Sequence, residues 1–308
     1  REALALQPLN MNFVHALCDT IFDRQGSEAA IKFLSDYLQR FPEHYELRQI
    51  WIGLLRREDL SDRWVEELQR MLELHPDDPW ALRELALVLI DLHRPEQALP
   101  YAEQALAIEP HVAASWSMRG LVRAKLGSRE EAAADYAKSL ELSIDWEPGF
   151  LGWMEICESR EQRLLVLEHV QRELKSQVVT GDLLLTLTDH VQPTLDDAAT
   201  LQLFQEMHAT RPDLFQSWLA LIEILRRQDK LTEATELMEQ ATERFALLPR
   251  IWSDAATLAD QQQDPVRQIE YLKRALSINP RWPQIVYRLA MAYHEQGKKA
   301  EAFEVLQT

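Results

Sequence analysis

Nine histidines and two cysteines are the side chains best suited to metal or nucleophilic chemistry, and their spacing supports neither. Cys18 and Cys157 lie far apart with no CxxC between them, whereas a disulfide framework or a zinc knuckle needs closely spaced partners. No HExxH occurs. His294-Glu295 runs on into Gln296-Gly297-Lys298, which reads as a helix end rather than a zinc motif. Glu155 and Glu158 flank Cys157, and neighbouring carboxylates raise a thiol's pKa instead of activating it. Both cysteines are therefore expected as buried structural thiols. Asp196-Asp197 could in principle share acid–base work, but a position before a helical run makes them an N-cap and a dipole complement. GxGxxG, GxxxxGK[ST] and GxSxG are all missing, and eight glycines leave little material for phosphate-cradling loops. The expectation is a noncatalytic chain with no metal and no cofactor.

The elements that must position any site are set by a repeat. Pro42, Pro76, Pro110, Pro212 and Pro280 all fall on one step of 34 residues. Small residues share the step at Ala30, Ala98, Ala132, Ala234 and Ala302. Bulky ones do so at Val14, Leu82, Trp116, Phe150, Leu184, Trp218, Trp252 and Val286. One phase fits without insertion from residue 11, giving units that start at 11, 45, 79, 113, 147, 181, 215, 249 and 283. Residues 1–10 form the tail of a preceding unit and residues 11–308 the array. Within a unit the apolar spacing is helical: Leu82, Leu85, Ala86 and Leu89 make one stripe. After the break at His93-Arg94-Pro95, a second stripe runs through Ala98, Ala102, Ala105 and Leu106. Pro95 and Pro265 suit the first turn of second helices, and Asp264 is an N-cap. Each unit is thus two antiparallel helices, with alanines where they cross closely. A lone pair cannot cover its apolar face, so pairs must stack.

The stretch from Trp116 to Leu142, with Trp116, Gly120, the turn glycine Gly127, Ala132 and Tyr136, resembles the tetratricopeptide repeat family, whose period is also 34 residues. The resemblance implies an all-α fold: an α-α superhelix of about nine helix-turn-helix repeats. Val166 and Thr200 replace the small residue in the fifth and sixth units, Val178 stands where a proline belongs, and Pro193 falls near the end of a first helix. Irregular packing or a change of curvature is expected there.

In that family the second, fifth, ninth, twelfth and thirteenth positions of each unit face an inner groove. Here the resemblance places Arg56, Arg57, Arg83, Arg226 and Arg227 in the lining, with Trp80, Leu87, Leu121, Leu151, Leu185 and Leu219 between them. An apolar strip flanked by arginines is a seat for a peptide or helix bearing carboxylates. The competing reading is ordinary packing between first helices, with the arginines paired internally. The family's chaperone-tail clamp needs Lys and Asn at the fifth and ninth positions. No pair from His15/Asp19 to Tyr287/Met291 supplies them, and no asparagine occupies the sixth position for a sugar-transferase ladder.

Composition narrows the partners. The 308 residues are 46% hydrophobic and 27% charged, with a net charge of −17 that repels nucleic acid and anionic lipid. No run is long enough to insert into a membrane. The expected partner is a protein or peptide. Nothing marks an oxidising compartment, and a cytoplasmic one is slightly favoured. Ala3 to Pro8 repeats the character of Ala105 to Pro110, and Glu301 onward resembles half of a second helix. Two further expectations follow: self-association through uncapped ends, and a parent in which this array is the regulatory or substrate-presenting arm of an enzyme or export protein.

Overall fold

The computed structural model describes residues 7–192 and 194–307. The segment Ala3 to Leu6 and Pro193, both singled out above, lie outside the described residues. Contacts divide the chain into two compact units, Arg1–Leu142 and Ser143–Thr308. Every regular element among the described residues is a helix.

Among its described residues the N-terminal unit contains four helix pairs. First helices are α1 (Met11–Gln25), α3 (Tyr45–Arg57), α5 (Pro79–Asp91) and α7 (Ala113–Lys125). Second helices are α2 (Ser27–Arg40), α4 (Ser61–Leu74), α6 (Pro95–Ile108) and α8 (Arg129–Leu142). In the C-terminal unit the first helices are α9 (Glu147–Ile156), α11 (Asp182–His190), α13 (Phe215–Arg227), α15 (Pro249–Gln261) and α17 (Pro283–Glu295). Their partners are α10 (Arg160–Ser176), α12 (Asp197–Thr210), α14 (Leu231–Arg244), α16 (Pro265–Ile278) and α18 (Lys299–Gln307).

Helix starts follow capping chemistry. The Asp78 carboxylate accepts from the Trp80 and Ala81 amides at 3.0 and 3.2 Å, ahead of Pro79 at the first turn. Asp196 accepts from Ala199 N at 2.8 Å and Asp264 from Arg267 N at 3.0 Å, so both act as the caps expected of them. Ser159 and Gln162 close a reciprocal capping box at the start of α10.

The turn inside six of the described pairs has its own column. Asp59, His93, Gly127, Asp229, Gln263 and Gly297 recur on the repeat step and all have positive φ, between 53° and 85°. This left-handed position ends the first helix, and only two of the six are the glycine that occupies it without strain.

Packing explains the small residues. Ala30, Ala98, Ala132 and Ala234 are fully buried where paired helices cross. A Cβ on Gly120 would lie 3.0 Å from Tyr136 Cε1 and 3.3 Å from the Ala132 carbonyl oxygen, so α7 and α8 meet at a glycine because nothing larger fits. The buried Asp135 carboxylate on α8 is held by Arg119 and Arg123 of α7, with contacts of 2.6–2.9 Å.

The fourth position of the first helix also carries a tether. The indole N–H groups of Trp116, Trp218 and Trp252 donate to the carbonyls of Pro110, Pro212 and Ala246, each six residues upstream, at 2.8–3.0 Å. In α3 that position is Arg48, whose guanidinium donates to the Pro42 carbonyl, again six residues upstream.

The fifth and sixth pairs are irregular. Helix α9 has 10 residues and α11 has 9, against 13 in most first helices, while α10 extends to 17. Here the loop is organised by Asp145, whose carboxylate accepts from Thr180 N and Oγ1, Gly181 N and Leu183 N at 2.7–3.3 Å. Its charge sits at the positive end of α11 and stands in for a local cap.

Candidate functional site

In each unit the first helices carry a recess. In the N-terminal unit it opens between α1 and α3 with a volume of about 560 Å³. Asn12, His15 and Asp19 line one wall, Gln49, Gly53 and Arg57 the other. A Cβ on Gly53 would have no atom within 4 Å, so the glycine leaves that wall open without any backbone demand. Asp19 is shared by His15 Nδ1 at 3.0 Å and Arg57 at 3.7 Å. The Arg57 guanidinium rests 3.5 Å from the Phe22 ring centroid, a cation–π seat that fixes its direction. Cys18 lies at the base. Burial and then the Asp19 charge push its thiol up to about 11, with Arg57 opposing.

The remaining expected lining of this unit lies outside that recess, on α3, α5 and α7, and is largely engaged. Arg56 reaches Glu84 at 3.9 Å. Burial pushes the Glu84 carboxyl upward against the pull of Arg56 and Arg83. Arg83 forms an ion pair with Glu109 and donates to Ser115 Oγ at 3.0 Å. Trp80 meets Tyr45 edge-on at 6.4 Å, and Trp80, Leu87 and Leu121 pack half-buried against the core.

In the C-terminal unit a smaller recess, about 200 Å³, is lined by Leu185 of α11, Leu219, Glu223 and Arg226 of α13, and Arg250 and Asp254 of α15. Leu219 is 7% exposed and belongs mainly to the core, and Leu151 on α9 is half-buried and does not line this recess. Arg226 grips Glu223 through two contacts of 2.6 and 2.7 Å. Arg227 adds a third at 2.6 Å, donates to the Thr188 carbonyl at 2.7 Å and pairs with Asp189. For Glu223 burial acts upward, but the hydrogen bonds from Arg226 and Arg227 outweigh it, and the carboxyl sits below its usual range. Across the recess, burial pushes the Asp254 carboxyl up despite Arg250 at 3.6 Å and Arg288.

Arg250 and Asp254 did not figure in the expected lining. Arg250 occupies the second position of its unit and was open to the same positional rule. Asp254 occupies the sixth, which that rule passes over. Among the described residues, no three His, Cys, Asp or Glu side chains converge as metal ligands do, and no helix is long and apolar enough to cross a membrane.

Family comparison matches this chain to the tetratricopeptide repeat at residues 83–145 and 219–284, and again at 283–308. The chain belongs to the tetratricopeptide repeat family. Among curated relatives, cellulose synthase operon protein C of Komagataeibacter xylinus is 26% identical over 246 residues. That alignment takes in 75% of this chain and 19% of the relative. Photosystem I assembly protein Ycf3 of Rippkaea orientalis is 33% identical over 72 residues, 23% of this chain and 39% of that protein. This tetratricopeptide chain thus spans about a fifth of the length of the cellulose synthase operon relatives it matches. Among solved structures, yeast Tom70 aligns with a TM-score of 0.45 at 15% identity, covering 92% of this chain and 63% of that one. MamA from Desulfovibrio magneticus RS-1 aligns at 0.42 and 17% identity, covering 53% and 93%.

Proposed function

We propose that this array is a noncatalytic scaffold whose first-helix faces bind an extended or helical segment of another protein. The observation that carries the reading is the recess between consecutive first helices in each unit, where apolar wall and charged rim lie together. In the N-terminal unit the segment would enter that recess over Ile50 and Leu54 beside Arg57 and continue along α5 and α7 over Trp80, Leu87 and Leu121, with Arg56 and Arg83 at its edges. In the C-terminal unit it would meet Leu151, Leu185 and Leu219 beside Arg226 and Arg227. Because Arg83, Arg226 and Arg227 already hold internal carboxylates, an acidic partner has to compete for them. Affinity then comes mainly from apolar burial, and charge supplies register.

A photoreactive residue at Gly53, or at Thr257 in the wall of the C-terminal recess, tests this. Each should crosslink the partner, whereas the same group at the exposed Leu74 or Val266 on second helices should not. Equal crosslinking from both sides removes the assignment. Arg83→Glu with Leu121→Asp should abolish capture while helical circular dichroism is retained.

A second reading is favoured by one observation, the 19% coverage of the cellulose synthase operon relative. Here the array is the substrate-presenting or regulatory arm of a larger protein concerned with export or polysaccharide synthesis. Sequencing the surrounding open reading frame discriminates, because that reading requires a domain with catalytic or transport motifs in the same chain.

A further inference from the structure

A different recess, about 250 Å³, lies among α2, α3 and α4 and has a composition unlike the rest of this acidic chain. Arg48, Arg63 and Arg70 line it, with Glu67 as the one carboxylate, leaving two positive charges in a molecule of net charge −17. Ser35 and Gln39 add polar groups from α2.

The origin of the recess is the substitution in the tether column. Where Trp116, Trp218 and Trp252 fill their sites with an indole, Arg48 supplies the same hydrogen bond with a thinner side chain. The tether is kept and the ring volume is lost. In exchange an arginine only 8% exposed has been placed in a core column, at a desolvation cost that one carboxylate rarely offsets. Glu67 takes Nη1 at 2.7 Å, but Nε finds no acceptor. The Trp51 indole N–H, in a residue 3% exposed on the same wall, also finds none. Arg63 forms no ion pair among the described residues, its guanidinium lying 5.1 Å from the Trp51 ring centroid. Arg70 contacts Glu67 at 3.6 Å from an exposed position. Two buried donors without acceptors, beside three arginines that share the single carboxylate of Glu67, call for an acceptor-rich anion.

We propose that this recess binds a doubly charged tetrahedral oxyanion, either free phosphate or sulfate or the terminal phosphate of a small monoester. A dianion balances the surplus charge, and guanidinium groups suit its paired oxygens. A monocarboxylate would leave one charge over. The chain's overall negative field is screened beyond about 10 Å at 0.1 M salt, while arginines in contact with the ion are not.

The test is calorimetric titration of the full chain with sodium phosphate, sodium sulfate and glycerol 3-phosphate in chloride buffer. One saturable site is expected. Arg63→Ala and Arg70→Ala, both on the rim, should each weaken it by about tenfold, the loss of one charge-assisted hydrogen bond. Glu67→Gln should tighten it, because a carboxylate leaves the site while an acceptor for Arg48 remains. Arg48→Trp should restore the column, raise the melting temperature and abolish binding. If that variant fails to fold, the two rim variants still decide. Glycerol 3-phosphate binding as tightly as phosphate assigns the ester, and its exclusion assigns the free ion. No saturable heat with either inorganic anion, or unchanged affinity in both rim variants, overturns the proposal.

Discussion

His93 and Gln263 hold left-handed backbone with side chains that disfavour it, at φ of 58° each. A Cβ in that region costs roughly 1–2 kcal/mol, and glycine recovers part of this while losing about 0.5–1 kcal/mol of unfolded-state entropy. His93→Gly and Gln263→Gly should therefore each raise stability by about 0.5–1 kcal/mol, read as a higher urea midpoint at unchanged slope. Gly127→Ala should move the midpoint the other way. A second residue-scale expectation concerns Cys18. With its thiol pushed up to about 11, almost no thiolate exists at pH 8 in the native protein. Iodoacetamide should modify it far more slowly in buffer than in urea, where the ordinary value near 9.0 returns. Because the unfolded thiol loses its proton first, the native state should also lose stability as pH rises from about 9 toward 11, and none below that window. Native labelling as fast as in urea would place Cys18 outside the core.

At the scale of the helix pair, Gly120 sets how closely α7 and α8 approach. Gly120→Ala gains up to about 1 kcal/mol of helix propensity but forces its methyl against Tyr136 and the Ala132 carbonyl, and overpacking of that kind costs about 1–3 kcal/mol. A net loss of about 1 kcal/mol is expected, and Gly120→Ala with Tyr136→Phe should not relieve it, since the crowded atoms are ring carbons. Thermal melts of the three proteins check the sign. The pairs themselves were legible because columns such as Ala98 and Ala132 report a crossing distance that every repeat must satisfy. The irregular pairs were legible only as departures: Val166 and Thr200 flagged them, but nothing local announces that Asp145 will cap α11. That bond joins residues about a full repeat apart, as does the ion pair of Arg227 with Asp189, and the pair of Arg83 with Glu109 likewise spans 26 residues. Sequence position shows which side of a helix an arginine occupies and not which carboxylate reaches it first. Arg48 was passed over for a related reason. A column read for bulk does not register a charged residue doing an indole's hydrogen bonding.

For the whole chain, the balance lies between a net charge of −17 and the apolar side chains left open at the surface. Helix α18 exposes Phe303 and Leu306, and Phe13 is exposed on α1. Apolar area gains about 25 cal/mol per Å² when covered, so covering such faces favours contact between copies. Charge opposes it, and the two respond differently to salt. At about 10 mM salt the repulsion reaches some 30 Å and should hold copies apart, whereas at about 1 M it falls to roughly 3 Å while the apolar term persists. Light scattering at rising protein concentration should therefore show constant mass in dilute buffer and increasing mass in high salt. Phe303→Glu with Leu306→Glu should remove the increase. Association that is strongest in dilute buffer and dissolves with salt would instead mark an electrostatic contact, and the apolar face would have no part in it.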